Sequence, residues 1–386
     1  VLLLDGGDVG GGYGRQAELK FETAMKAMGK MGYIATAVGE KDLLLGPDYL
    51  KYVSDFSGVP VVSANIVGHS GAPVFPRFIM TRPGAICDNI TAAAIGVIST
   101  EFKDEIEAIS PGVVIEEYDA ILEELIAELR PQADILVLLA HAAEDEARSI
   151  AKNFPDIDLI IASHVGDDPM PTPMIEGDVP IVFAGTKGMH VGVAKMILGN
   201  RDATLESYRA EKLDGEIQDS PRMLTLLEDY QQMLAAERLL ESYPRTSHDE
   251  AEFVGEEPCR RCHSLSTSRF NKSKHAHGFD ALVEKNHSRD PECVGCHTVG
   301  FGYKSGFISS DETPQLMHVG CESCHGPAAE HVKEPLEKEY GAVERTTCEA
   351  CHNSENSPDF VYEERLEEIQ HDSFFLCSAR ICHWLD

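Results

Sequence analysis

Cys321-Glu322-Ser323-Cys324-His325 is the stretch that decides how the last third of this chain folds. Two thiols three positions apart, followed at once by an imidazole, recur at Cys259-Arg-Arg-Cys262-His263, Cys293-Val-Gly-Cys296-His297 and Cys348-Glu-Ala-Cys351-His352. This is the attachment pattern of a c-type haem (heme c): both thiols form thioethers to the porphyrin, and the histidine becomes an axial ligand of the iron. Zinc ribbons also use paired Cys-x-x-Cys units, but they do not need a histidine directly after each pair. Cys377-Ser-Ala-Arg-Ile-Cys382-His383 repeats the pattern with two more residues between the thiols. It reads as a fifth attachment site, the alternative being a disulfide or two free thiols.

Outward from these motifs, composition points the same way. From Gly255 to Asp386, Leu, Ile, Val and Phe make up about 18% of residues, below the roughly 20% at which a charged chain is expected to stay disordered. Such a segment folds if something else supplies the apolar core, and porphyrins would do so. Ten of the eleven cysteines fall in the five pairs. The remaining one, Cys87, sits beside apolar residues and reads as an inert buried thiol.

The whole chain has 386 residues and a formal charge of -32. That length predicts two or three domains. The acidity argues against a nucleic-acid or anionic-membrane partner and for basic protein partners. No stretch is long and apolar enough for a transmembrane segment. Covalent haem attachment takes place outside the cytoplasm, so a periplasmic or extracellular location is expected, with an export signal removed or left out.

Residues 1–214 have a different texture. Apolar runs at 1–4, 33–38, 59–64, 92–98, 135–140, 159–163, 180–184 and 191–198 alternate with amphipathic patterns at 15–31, 121–130 and 142–153. That alternation predicts an α/β layered domain. Ser220-Pro221 then opens a helix expected to run to Ser242, with Met223, Leu226, Leu227, Tyr230, Met233 and Leu234 at helical spacing. The expected organisation is 1–214 α/β, 215–257 helical linker and 258–386 haem domain.

From Pro258 to Asp372 the chain resembles the cytochrome c554-like multihaem family. The resemblance lies in Ser273-Lys-His275-Ala, Cys296-His297-Thr-Val-Gly300, Val319-Gly-Cys321-Glu-Ser-Cys324-His325-Gly-Pro327 with His331 following, and Ser357-Pro-Asp-Phe360 leading to His371. It implies a mainly α, haem-cored domain with His263, His297, His325, His352 and His383 as proximal ligands. It also implies distal histidines, with His275, His331 and His371 ahead of His277, His287 and His318. Those last three read equally as surface or haem-edge histidines. Two axial imidazoles close an iron to substrate, so such haems store and pass electrons. An iron without a distal histidine could bind a small ligand, and the family includes such members.

The first two hundred residues resemble the catalytic domain of 5'-nucleotidase-type metallophosphoesterases. The carriers are Leu3-Leu4-Asp5-Gly-Gly-Asp8, Ala37-Val38-Gly39-Glu40-Lys41-Asp42, Val62-Ser63-Ala64-Asn65-Ile66, Leu138-Leu139-Ala140-His141 and Asp158-Leu-Ile-Ile-Ala-Ser163-His164, followed by Thr186-Lys-Gly188 and Val191-Gly192. The resemblance implies a metallophosphoesterase-like sandwich and two metal ions clamping a phosphate. It puts Asp8, Glu40, His141 and His164 at the second metal, with Glu40 in place of Asn. Gly166 stands where the first metal would find a histidine, Lys41 where a histidine would assist catalysis, and the first metal's Asp-x-His strand would precede Val1. One divalent metal at Asp8, Glu40, His141 and His164 and a remnant hydrogen-bonded cluster are both open readings.

The expected function is electron transfer by an exported multihaem cytochrome, with the α/β domain an inactive scaffold. Partners would be redox proteins, including other multihaem cytochromes. One alternative is an enzyme, either a metal-dependent phosphohydrolase or a haem-based redox catalyst. The other is a homo-oligomer or filament, the subunit of an extracellular haem wire.

Overall fold

The computed structural model describes residues 1–82, 90–199, 203–247, 251–337, 340–353 and 356–371. The chain divides into two compact units, Val1–Leu227 and Glu228–Asp386. Cys87 and the fifth motif, Cys377, Cys382 and His383, lie outside the described residues.

The first unit is an α/β sandwich of two packed sheets. A six-stranded sheet runs in the order Met174–Glu176, Val179–Val182, Leu159–Ala162, Ile135–His141, Ala92–Ile98, Phe78–Thr81. Its central strands are parallel and its two edges antiparallel. A second, parallel sheet is built from Leu4–Asp5, Ala35–Ala37 and Val61–Val62. Side chains alternate across a strand, so each central strand feeds two cores. Ile135, Val137 and Leu139 meet Ala35, Ala37 and Val62 between the sheets. Leu136, Leu138 and Ala140 pack under the helices Asp119–Leu129 and Glu144–Asn153. Full burial of each such leucine contributes about 1.5–3 kcal/mol. A third cluster seats the helices Arg15–Met31 and Pro47–Ser57 through Phe21, Met25, Leu50 and Val53.

The second unit is a run of short helices with little apolar core. Among the described residues its buried apolar cluster is Leu240, Phe279, Leu282, Val294, Val299, Phe307 and Leu316. The expected helix from Pro221 is shorter than its pattern: it spans Pro221–Ala236, and a left-handed Arg238 (φ 53°) starts a separate turn, Leu239–Ser242. The stretch expected as a linker also carries structure. Phe253 packs against this cluster and lies on Gly300, whose φ of 64° and lack of a side chain permit the close approach. Thr246 bonds to Gly302 through the backbone, and Tyr243 packs on Phe301 with ring centroids 4.6 Å apart.

Candidate functional sites

Each described Cys-x-x-Cys-His motif sits on a short helix, Glu256–Cys262, Pro291–His297, Cys321–His325 or Arg345–Glu349, or just beyond its end. The eight described cysteines are free of disulfides. The thiols of Cys259 and Cys321 neighbour each other, and so do those of Cys296 and Cys351. The first attachment site therefore adjoins the third, and the second adjoins the fourth. The closeness of each pair pushes Cys259 and Cys351 up and Cys321 and Cys296 down, Cys296 to about 7.

Three of the motif histidines are oriented by bonds at Nδ1. His297 Nδ1 lies 2.6 Å from the Gly278 carbonyl, His325 Nδ1 2.8 Å from the Gly341 carbonyl, and His352 Nδ1 2.9 Å from Ser357 Oγ. A carbonyl at Nδ1 of His297 and of His325 accepts the ring proton and leaves Nε2 as the ligand atom, while the Ser357 hydroxyl, which can donate or accept, orients the His352 ring.

Two imidazoles on opposite sides of one iron, with metal–nitrogen bonds of about 2 Å, stand with ring centroids roughly 6 Å apart. Among the described residues of the second unit, four histidine pairs have this spacing, and three of them include a motif histidine: His263 and His331 at 6.4 Å, His275 and His352 at 5.8 Å, His325 and His371 at 6.1 Å. Burial and the neighbouring imidazoles His331, His325 and His371 hold His263 below the usual histidine range. Burial and His352 and His297 do the same for His275, and burial alone for His352. Neutral imidazole is the form that binds metal. The residues present therefore fit axial ligation of haem iron.

The other three histidines stand elsewhere. His277 and His318 face one another with centroids 6.3 Å apart, and neither belongs to a Cys-x-x-Cys-His motif. The Phe279 amide donates to His318 Nδ1 at 3.3 Å, and His277 Nε2 lies 3.3 Å from the Asn271 carbonyl. His287 is tied to Gln231 at 3.1 Å and clusters with Asp290 and Cys293. Two aromatic neighbours went unanticipated. Phe360 stacks on His352 at 4.4 Å, and Tyr340 on His331 at 5.1 Å. Only Phe360 belongs to a stretch that had drawn attention.

In the first unit, Asp8, Glu40, His141 and His164 converge at the C-terminal ends of strands, where α/β sheets place their ligands. Ligand atoms of Glu40, His141 and His164 all lie within 4.8 Å of one another. His141 is 2% exposed. Its Nδ1 lies 2.9 Å from Ser163 Oγ and 3.2 Å from the Gly6 carbonyl, which turns Nε2 onto the Glu40 carboxylate. Burial opposes the charged imidazolium, but the bond to Glu40 and the charge of Asp8 outweigh it and raise its pKa. Burial likewise works against ionised Glu40, yet His141 and Lys41 bring it down to about 2. Phe102 caps both imidazoles, with centroids 5.6 Å from His141 and 5.0 Å from His164.

Lys41 puts its ammonium on this cluster, 2.8 Å from Asp8 Oδ2 and 3.2 Å from Glu40 Oε1, and its own amide donates to Asp8 Oδ1 at 2.9 Å. Asp42 ties the two loops together from below. It accepts from the amides of Asp8 (2.8 Å), Gly10 (2.8 Å) and Gly39 (3.0 Å). Burial and the nearby Asp8 charge push its pKa up to about 7. Carboxylate and imidazole donors, with His141 held at Nδ1 by Ser163 and the Gly6 carbonyl, suit one divalent transition metal. Asp8 faces an ammonium as well.

Fold and site together define an α/β phosphoesterase-type unit followed by a cytochrome-type helical unit. Residues 258–326 match the family described as Cytochrome c554 and c-prime. The chain is 31% identical over 144 residues to Cytochrome c-554 of Nitrosomonas europaea, a match covering 28% of this chain and 61% of that protein. It is 28% identical over 192 residues to a 5'-nucleotidase of Vibrio parahaemolyticus, covering 48% of this chain and 31% of that protein. The solved sulfate thiohydrolase SoxB of Thermus thermophilus superposes with a TM-score of 0.52 at 21% identity, over 60% of this chain and 42% of that one. The matches thus span less than two thirds of each of these proteins. The C-terminal region carries a cytochrome c554-family segment, which implies c-type haem, and the N-terminal part has the α/β fold of 5'-nucleotidase-type phosphoesterases.

Proposed function

We propose that this protein is an exported multihaem electron-transfer cytochrome whose phosphoesterase-type unit is a scaffold without hydrolytic turnover. It carries a haem at each of the four Cys-x-x-Cys-His motifs and a fifth at Cys377, Cys382 and His383. The observation that carries the reading is the pairing of motif histidines with second imidazoles at iron-bridging spacing: His263 with His331, His352 with His275, and His325 with His371. When bound, haem supplies reversible one-electron storage. The chain's own part is to hold it. Ten thiols anchor the porphyrins, Nδ1 bonds fix the ring planes of His297, His325 and His352, and paired imidazoles close the irons to substrate. The acidic surface favours basic redox partners.

The scaffold reading rests on Lys41. The Lys41 ammonium already sits on Asp8 and Glu40, where a two-metal mechanism needs a second metal cation to clamp the phosphate. Glu40, His141 and His164 hold at most one divalent metal there. Intact mass and low-temperature electron paramagnetic resonance of the protein isolated from an exporting host test the proposal. Five covalent haems, at least three of them low-spin with two imidazoles, are expected. Fewer than four haems, or manganese-dependent phosphoester hydrolysis by the same preparation, would overturn it.

A further inference from the structure

Glu322 is the second residue of the third attachment motif, and it is 2% exposed. Its carboxylate is held only by amides. The Val254 N–H reaches both oxygens at 3.0 Å, the Gly255 N–H reaches Oε2 at 2.7 Å, and the Ala328 N–H reaches Oε1 at 2.8 Å. Each of these partners donates and none accepts, an arrangement that favours the ionised carboxylate and works against burial, which pushes its pKa above the usual carboxylate range. Among the described residues no lysine or arginine pairs with it. A buried charge without a counter-charge is costly unless its hydrogen bonds are complete. A helix cap or a loop tie could be made by Ser, Asn or Asp at the surface, without burying a glutamate.

Its position supplies a use for that charge. Val254 and Gly255 lead directly into the helix Glu256–Cys262, which carries the first attachment site. Ala328 follows the third motif, and the first and third sites touch through Cys259 and Cys321. The carboxylate therefore bonds both attachment loops at once, beside the thiols that would anchor two neighbouring porphyrins. A fixed negative charge there stabilises the ferric state of both and lowers their potentials.

We propose that Glu322 is a positioning residue for electron transfer, stapling the first attachment helix to the third and setting the potentials of those two haems together. The inference rests on the haem reading above. The experiment uses the full haem-bearing chain. Wild type, Glu322→Gln and Glu322→Asp are compared by intact mass for haem count and by spectroelectrochemical titration. With full haem content, Glu322→Gln should move two midpoints to higher potential and leave the others in place. Glu322→Asp, which keeps the charge, should rescue most of that shift. A fully loaded Glu322→Gln protein with every midpoint unmoved would contradict the proposal. If Glu322→Gln loads incompletely, Glu322→Asp decides. Wild-type-like midpoints support the proposal, and midpoints displaced despite the retained charge overturn it. A wild-type chain without haem would sink the underlying reading, an outcome distinct from loaded haems that ignore the substitution.

Discussion

In the unit Val1–Leu227, three clusters of buried apolar side chains fill the spaces between two sheets and their covering helices. In the unit Glu228–Asp386, the described residues offer one cluster of seven. Both are chain segments of ordinary domain size, and folding requires each to bury enough apolar area to offset its conformational entropy. The first does so with Leu, Ile, Val and Ala at alternating strand positions. The second has cysteines and histidines where such residues would stand. On our proposal the haem groups are structural material as well as electron carriers.

Three changes sharpen or break that comparison. The largest effect on the first unit is expected from Leu138→Ala, which empties a fully buried position between the sheet and its helices. It should cost about 2–5 kcal/mol. Thermal unfolding followed by far-ultraviolet circular dichroism should show the first unit melting earlier, while the haem absorption spectrum stays unchanged. A spectrum that collapses with the first unit would make the two units one cooperative body.

Next is acidification. Glu40 is brought from its usual 4.5 down to about 2 by His141 and Lys41. A depressed carboxylate adds stability above its unfolded pKa, and that stability is lost as pH falls through the folded value. For His141 the sign is opposite. Its raised pKa adds stability below the unfolded value of about 6.5, lost as pH rises through the folded one. The first unit should therefore lose roughly 1–3 kcal/mol between about pH 4.5 and pH 2. Glu40→Gln should flatten that slope, and an unchanged slope would remove the Glu40–His141 pair from the account.

The smallest effect on stability is expected from His331→Ala, on the half-exposed helix Ala329–Lys333. Its effect is spectroscopic: one haem should pass from low-spin to high-spin, and the ring facing His263 would be named by that change. All haems remaining low-spin would assign His331 another role.

Much of the first unit was legible because its strands are central and its helices amphipathic. Arg15–Met31 and Ala92–Ile98 fall on their expected bounds. The strands Phe78–Thr81, Val113–Ile115 and Met174–Glu176 were not read, being only three or four residues long. Nor was Ala203–Lys212, which pairs with His190–Leu198 and alternates charge with small residues. At the site, Asp8, Glu40, His141 and His164 were readable as a set from a resemblance, and Lys41 was noticed as a departure. Its bonds to Asp8 and Glu40 are a matter of side-chain reach. In the second unit the motifs named the anchoring residues, but not which distal imidazole faces which motif. His352 meets His275, 77 positions upstream by number, while His325 meets His371 downstream, so order along the chain does not reveal the pairing. Glu322 lay inside a quoted motif, yet its burial depends on amides nearly seventy residues away.

The claim that haem replaces an apolar core in one unit and not in the other is tested most directly by hydrogen exchange on the haem-free chain. We expect amides of the strands Ala92–Ile98 and Ile135–His141 to remain protected as in the haem-bearing protein, and those between Gly255 and Ile369 to exchange at the rates of an unfolded chain. Protection of the second unit without haem, at levels matching the first, would contradict the account.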